Sequence, residues 1–120
     1  QVLLNLMING IDAAPSGGVL RVRLRAGARI AVADAARGTR QQVPGYVCEV
    51  RDDGAGIARA DLPRIFRPFY TTKSSGTGLG LAICQKIVTA HGGTLDAESR
   101  LGEGTTLIVR LPLGRIEEGP

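Results

Sequence analysis

Asp52-Asp53-Gly54-Ala55-Gly56-Ile57 opens, and Gly76-Thr77-Gly78-Leu79-Gly80-Leu81 closes, the stretch that decides how this chain folds. Two glycine-rich turns so close together mark backbone that must approach a ligand, because glycine lacks Cβ and reaches φ > 0. The second turn runs into Leu81-Ala82-Ile83-Cys84-Gln85-Lys86-Ile87-Val88, apolar with helical spacing. A glycine loop that opens a helix exposes unpaired N–H groups at the positive end of the helix dipole, a natural seat for phosphate. Two common loops of this kind are excluded. A dinucleotide fingerprint needs a third glycine where Leu81 stands, and a P-loop needs Lys-Ser or Lys-Thr directly after its glycines, where this chain has Leu81-Ala82. The loop is a phosphate binder of another type.

Working outward, Tyr46 to Arg51 reads as a strand that delivers Asp52 to the first glycine turn. Val19 to Leu24 reads as a strand before it. Ala26 to Gly45 has weak periodicity, consistent with a long hairpin or with an extra strand near Ile30 to Ala33 and a loop. Gln1 to Ala14 is helical by pattern and stops at Pro15 and Gly17-Gly18. Asn5 and Asn9 interrupt it on one face, with Ala13 a turn further. Two readings stay open for that pair: side chains satisfying buried backbone groups, or a polar stripe facing a ligand. Downstream of the first turn, Arg59 to Ile65 suggests a short helix. Phe66-Arg67-Pro68-Phe69-Tyr70-Thr71-Thr72-Lys73 and Ser74-Ser75 then suggest an anchored segment with a mobile lid, Phe66 and Phe69 packing into the core. The helix after the second turn runs to Ala90 and ends at His91-Gly92-Gly93 as a glycine cap. Thr94 to Ser99 and Thr105 to Leu111 read as strands joined across Gly102-Glu103-Gly104.

A chain of 120 residues is one domain with a single modest core. No apolar run approaches a membrane span and nothing resembles a signal peptide, so membrane contact is not expected. With no initiator Met and Gln1 inside an apolar run, it reads as a piece of a longer protein. The net charge is +4, with thirteen of fifteen cations Arg. Arg21, Arg23 and Arg25 alternate with Leu20, Val22 and Leu24, the outer face of a half-buried strand. No aromatic interleaves with them, so nucleic acid is not an expected partner. Cys48 and Cys84 lack metal-ligand spacing and read as buried apolar residues of a cytosolic protein.

Taken together, these motifs resemble the ATP-binding catalytic domain of sensor histidine kinases, a group related to the gyrase, heat-shock chaperone and mismatch-repair ATPases. Asn5-Leu6-Met7-Ile8-Asn9-Gly10-Ile11-Asp12-Ala13 looks like the family's N-box, Asp52 to Ile57 its first glycine box, and Phe66 to Lys73 its F-box. Gly76 to Leu81 looks like the second glycine box and Gly102-Glu103-Gly104-Thr105-Thr106 the last. The short lid with Thr71-Thr72-Lys73 is most like the nitrogen-regulator and PAS-linked types. Two residues depart from the pattern. Gly10 stands where Ala is usual, and Arg67 where an acidic residue is usual. The strand and helix start that precede an N-box are absent.

The resemblance implies roles. Asp52, not Asp53, takes the adenine-reading position. Gly54, Gly56 and Ile57 pass beside the base, and Thr105 lies near Asp52. Asn9 is the magnesium ligand, an oxygen donor of the kind Mg²⁺ takes sparingly from protein. Asn5 stands where hydrolytic relatives carry Glu. An amide cannot take a proton from water, which favours phosphotransfer over hydrolysis. Lys73 offsets γ-phosphate charge, Tyr70 packs on the nucleotide, and Gly76, Thr77, Gly78, Leu79, Gly80 and Leu81 cradle phosphates. His91 sits at a helix end, where capping is ordinary, and is not the phosphoacceptor.

The implied fold is α+β, a two-layer α/β sandwich of the Bergerat type, with a mixed sheet and about three helices on one face. The implied domain is 1–113, with 114–120 a polar tail. The implied reaction transfers the γ-phosphate of ATP, with Mg²⁺, to a histidine on a separate dimerisation domain, feeding the receiver domain of a response regulator in the cytoplasm. Two alternatives remain at this stage: an ATPase or protein-serine kinase of the same superfamily, and a nucleotide-binding regulatory module without catalysis.

Overall fold

Alternation along four strands distributes the apolar residues between the two faces of one sheet. The computed structural model describes residues 3, 6, 7, 10, 18–34, 36–70 and 80–112. β1 (Leu20–Asp34) and β2 (Thr39–Asp52) form a long hairpin, and β3 (Thr94–Arg100) and β4 (Gly104–Pro112) a shorter one. β2 pairs with β4, so the strand order is β1-β2-β4-β3. Every described pairing is antiparallel, where the sequence reading expects a mixed sheet. For the two hairpins the reason is connection length. Each hairpin is closed by a short turn, which only an antiparallel pair permits.

Val50 stands opposite both Val22 and Leu107, and Cys48 opposite both Leu24 and Val109, so these residues share a face. On it Val50, Leu107, Val109 and Leu95 meet Leu6, Cys84 and Val88 from the helical side and form the main core. Leu20, Phe66 and Leu81 pack against it. Val22 and Leu24 point to this side but are largely exposed, because β1 is at the edge of the described sheet. Arg21, Arg23 and Arg25 take the other face and are exposed, as their alternation predicts.

A register shift between Ala26 and Ala28 then reverses β1. Before it, even-numbered residues face the main core. After it, Ala28, Ile30 and Val32 join Val43, Val47 and Ile108 in a second cluster on the opposite face. The region from Ala26 to Gly45 is therefore a hairpin, not a separate strand with a loop.

Leu3, Leu6, Met7 and Gly10 are helical, with Leu6 fully buried. The helix α1 (Gly80–Ala90) buries Cys84 and Val88, one turn apart on a single face. Its end is tied by Gly92 N–H to the Thr89 carbonyl at 2.9 Å and Gly93 N–H to the Val88 carbonyl at 3.0 Å, the paired bonds of a glycine cap. The helix expected over Arg59 to Ile65 is only a 3-10 turn, Leu62–Arg64. Pro63 lacks an N–H and disfavours α geometry in the residue before it, so the turn does not propagate. Among the described residues no helix is long and apolar enough to cross a membrane.

Candidate functional site

β2 ends by carrying Asp52 under the sheet's end, only 4% exposed. The Gly54 N–H donates to Asp52 Oδ1 at 2.9 Å, so the first glycine turn fixes the carboxylate it follows. Asp53 is exposed and does something else. Both of its oxygens accept the Val19 N–H, at 3.0 and 3.1 Å, which ties down the start of β1. The adjacent carboxylates therefore have separate work, and the buried one is the candidate for recognition. Thr105 stands directly opposite Asp52 across β2 and β4 and is 7% exposed.

The glycine turn and the β3–β4 turn lock into each other. Gly102 N–H donates to the Ala55 carbonyl at 2.7 Å, and Ile57 N–H to Ser99 Oγ at 2.7 Å. Ser99 Oγ donates to the Gly104 carbonyl at 2.9 Å and lies 2.7 Å from Thr105 Oγ1. Two glycines make this fit possible. A Cβ on Gly56, with φ 79°, would overlap the Arg100 carbonyl, and one on Gly104, with φ 105°, would overlap that of Asp52. Only glycine combines that φ with that clearance.

The N-terminal helical residues close the site from the other side. A Cβ on Gly10 would come within 2.5 Å of Leu20 Cδ1 and 3.7 Å of Asp52 Cβ, so this helix abuts the carboxylate. The departure from Ala thus has a packing counterpart: Leu20 leans into the space a methyl group would fill.

Of the sequence-derived candidates, Asp52, Gly54, Gly56, Ile57 and Thr105 come together at this corner. Gly80 begins α1, and Leu81 packs on the core. Tyr70, within the F-box, is half-buried, its N–H donating to the Arg67 carbonyl at 3.2 Å. Asn5, Asn9, Lys73, Gly76, Thr77, Gly78 and Leu79 lie outside the described residues. Phe69 corrects an expectation. It is 74% exposed with φ 68°, while Phe66 alone packs against the core. The Tyr70 N–H to Arg67 carbonyl bond closes a turn with Pro68 and Phe69 at its centre, and the positive φ at the third position sends the second ring outward. Ser99 was not among the candidates, although a small hydroxyl in line with Leu95 and Ala97 on the core face of β3 is the signal that marks it. His91 is exposed, with Nδ1–H donating to the Ile87 carbonyl at 2.8 Å, which is capping geometry. Burial, then the neighbouring Glu49 charge, pushes the Cys48 thiol pKa up, so the thiol is a packing group.

Against known proteins, the family described as histidine kinase-, DNA gyrase B- and HSP90-like ATPase matches residues 1–115. The chain belongs to this ATPase family. The sensor histidine kinase ZraS of Escherichia coli (strain K12) is 39% identical over 120 residues, covering 100% of this chain and 23% of that protein. The chain thus spans less than a quarter of that relative's length. Among solved structures, the catalytic domain of histidine kinase ThkA superposes with a TM-score of 0.71 at 33% identity, covering 93% of this chain and 64% of that one. Full-length ShkA in complex with AMPPNP gives 0.65 at 29% identity, covering 92% of this chain and 20% of that one. Within the ATPase family, the chain corresponds to the ATP-binding catalytic domain of sensor histidine kinases.

Proposed function

We propose that this domain binds ATP with its adenine at Asp52 and passes the γ-phosphate to a histidine on a dimerisation domain outside this chain. The observation that carries the reading is the buried Asp52, held by Gly54 and faced by Thr105 where two glycine turns interlock. A carboxylate there accepts the exocyclic amine of adenine. Guanine offers a carbonyl oxygen instead and leaves the charge unpaired, a mismatch that sites of this kind reject strongly. The relatives named as sensor histidine kinases support the reaction class.

The remaining roles follow the same reading. Gly76 to Leu81, the stretch that leads in sequence into α1, cradle the phosphates, Tyr70 packs on the nucleotide, and Lys73 offsets γ-phosphate charge. Asn9 offers an amide oxygen to Mg²⁺, which when bound neutralises phosphate charge. The donor chemistry is what fits: a neutral amide oxygen is the hard ligand that Mg²⁺ takes sparingly from protein, with phosphates and water completing its shell. Asn5, unable to act as a base for water, favours transfer to a side chain over hydrolysis. The wider proposal is the two-layer sandwich with about three helices, a domain over 1–113 with a tail at 114–120, a cytoplasmic site of action, and a response regulator receiving the phosphate.

Titrating the chain with ATP and GTP tests the adenine site. ATP should bind much more tightly, and Asp52→Asn should narrow the gap, whereas Asp53→Asn should leave it unchanged and only loosen the Val19 anchor. Equal affinity for the two nucleotides would overturn the assignment.

A further inference from the structure

We infer that Ser99 is a positioning residue that sets the polarity of the Thr105 hydroxyl and so sharpens the site's demand for an amine-bearing base. The inference rests on the reading of Asp52 and Thr105 as the adenine-facing pair, and goes beyond it.

A serine hydroxyl has one proton to donate and two lone pairs to accept with. At Ser99 all three directions are assigned. The Ile57 N–H can only donate, so it takes one lone pair. The Gly104 carbonyl can only accept, so it takes the proton. The 2.7 Å contact with Thr105 Oγ1 is then left with Ser99's second lone pair, and the proton in that bond must come from Thr105. With its own proton committed, Thr105 can only accept from any other group. Across the strand pair stands Asp52, acceptor-only when ionised. Opposed residues on one sheet face have Cβ atoms roughly 4.5–5.5 Å apart, close enough to meet one substituent of a base. Both therefore accept, and the substituent they meet must donate. An amine satisfies this, and a carbonyl oxygen does not. Without Ser99, Thr105 could rotate and donate to such an oxygen, relaxing the discrimination.

The probe is inosine triphosphate, in which a carbonyl replaces the amine of ATP. The measurement is the ratio of ATP to inosine triphosphate affinity, with thermal unfolding recorded for each variant. Ser99→Ala should lower the ratio by about fivefold, the scale of one ordinary hydrogen bond. Ser99→Cys, which keeps volume with a weak donor and acceptor, should lower it too and serves if the alanine variant does not fold. Ser99→Thr should restore the native ratio. On a Thr105→Val background the Ser99 changes should leave the ratio untouched. If Ser99→Ala and Ser99→Cys weaken both nucleotides equally while the unsubstituted chain discriminates, Ser99 only braces the turn and the inference is overturned. If the unsubstituted chain does not discriminate at all, the adenine-site reading fails and takes the inference with it.

Discussion

A methyl group at Gly104 would meet the Asp52 carbonyl oxygen, whereas at Gly102, two residues away with φ 81°, it would meet open space. The pair separates backbone strain from steric exclusion. Gly102→Ala should cost about 1–2 kcal/mol, the price of left-handed geometry alone. Gly104→Ala should cost more, about 3–4 kcal/mol, since a packed hairpin must also part. Chemical denaturation of the two variants checks this, and equal losses would mean that the β3–β4 turn gives way freely. Cys48 supplies a pH test. Its thiol pKa is raised in the fold by burial first and Glu49 second. The folded state therefore holds the proton after the unfolded chain has released it. Its contribution is intact below the unfolded thiol pKa, near 8.5, and is lost as pH rises toward the folded value. Cys48→Val should flatten the fall in stability on the alkaline side, read from denaturation midpoints between neutral and alkaline pH. At this scale the sequence was legible where a family motif covers the residue: the resemblance sets Asp52 apart from Asp53 with Thr105 near it, and the fold buries Asp52 directly opposite Thr105. Ser99 was not, because its role depends on three partners from Ile57 to Thr105 that only the folded hairpin assembles.

Elements were read well where one periodicity ran unbroken. The helix after the second glycine turn and the β3–β4 hairpin fall within a residue or two of their expected bounds. The β1–β2 hairpin was only half legible. Leu20, Val22, Leu24, Ala28, Ile30 and Val32 are all even-numbered, yet the bulge at Ala26 to Ala28 sends the two halves to opposite faces. No alternation pattern announces that switch. Gly10 belongs at this scale, since it joins the N-terminal helix to β1. Gly10→Ala adds helix propensity of about 1 kcal/mol, but its methyl group collides with Leu20 Cδ1. The single substitution should be near neutral. Combined with Leu20→Val, which withdraws that methyl, it should stabilise relative to Leu20→Val alone. Thermal melts of the four proteins check the coupling, and strict additivity would mean that Leu20 does not occupy the alanine space.

The whole molecule presents its site at one corner, where β2, the N-terminal helix, the first glycine turn and the β3–β4 turn converge on Asp52. α1 begins at Gly80, beside the second glycine turn, and runs 11 residues away from it. At about 1.5 Å per residue, His91 lies roughly 15 Å from the helix end assigned to phosphate. In-line transfer needs reacting atoms about 3–3.5 Å apart, so His91 is out of reach of a phosphate held there, in keeping with the proposed acceptor on another domain. That geometry leads to the most direct measurement. The chain is incubated with γ-labelled ATP and Mg²⁺, alone and with a dimerisation domain carrying the acceptor histidine, and acid-labile phosphate is counted. The account predicts background label on the chain alone, label on the supplied domain, and an unchanged signal with His91→Gln. Acid-labile label on the chain alone that disappears with His91→Gln, or no label on the supplied domain, would contradict it.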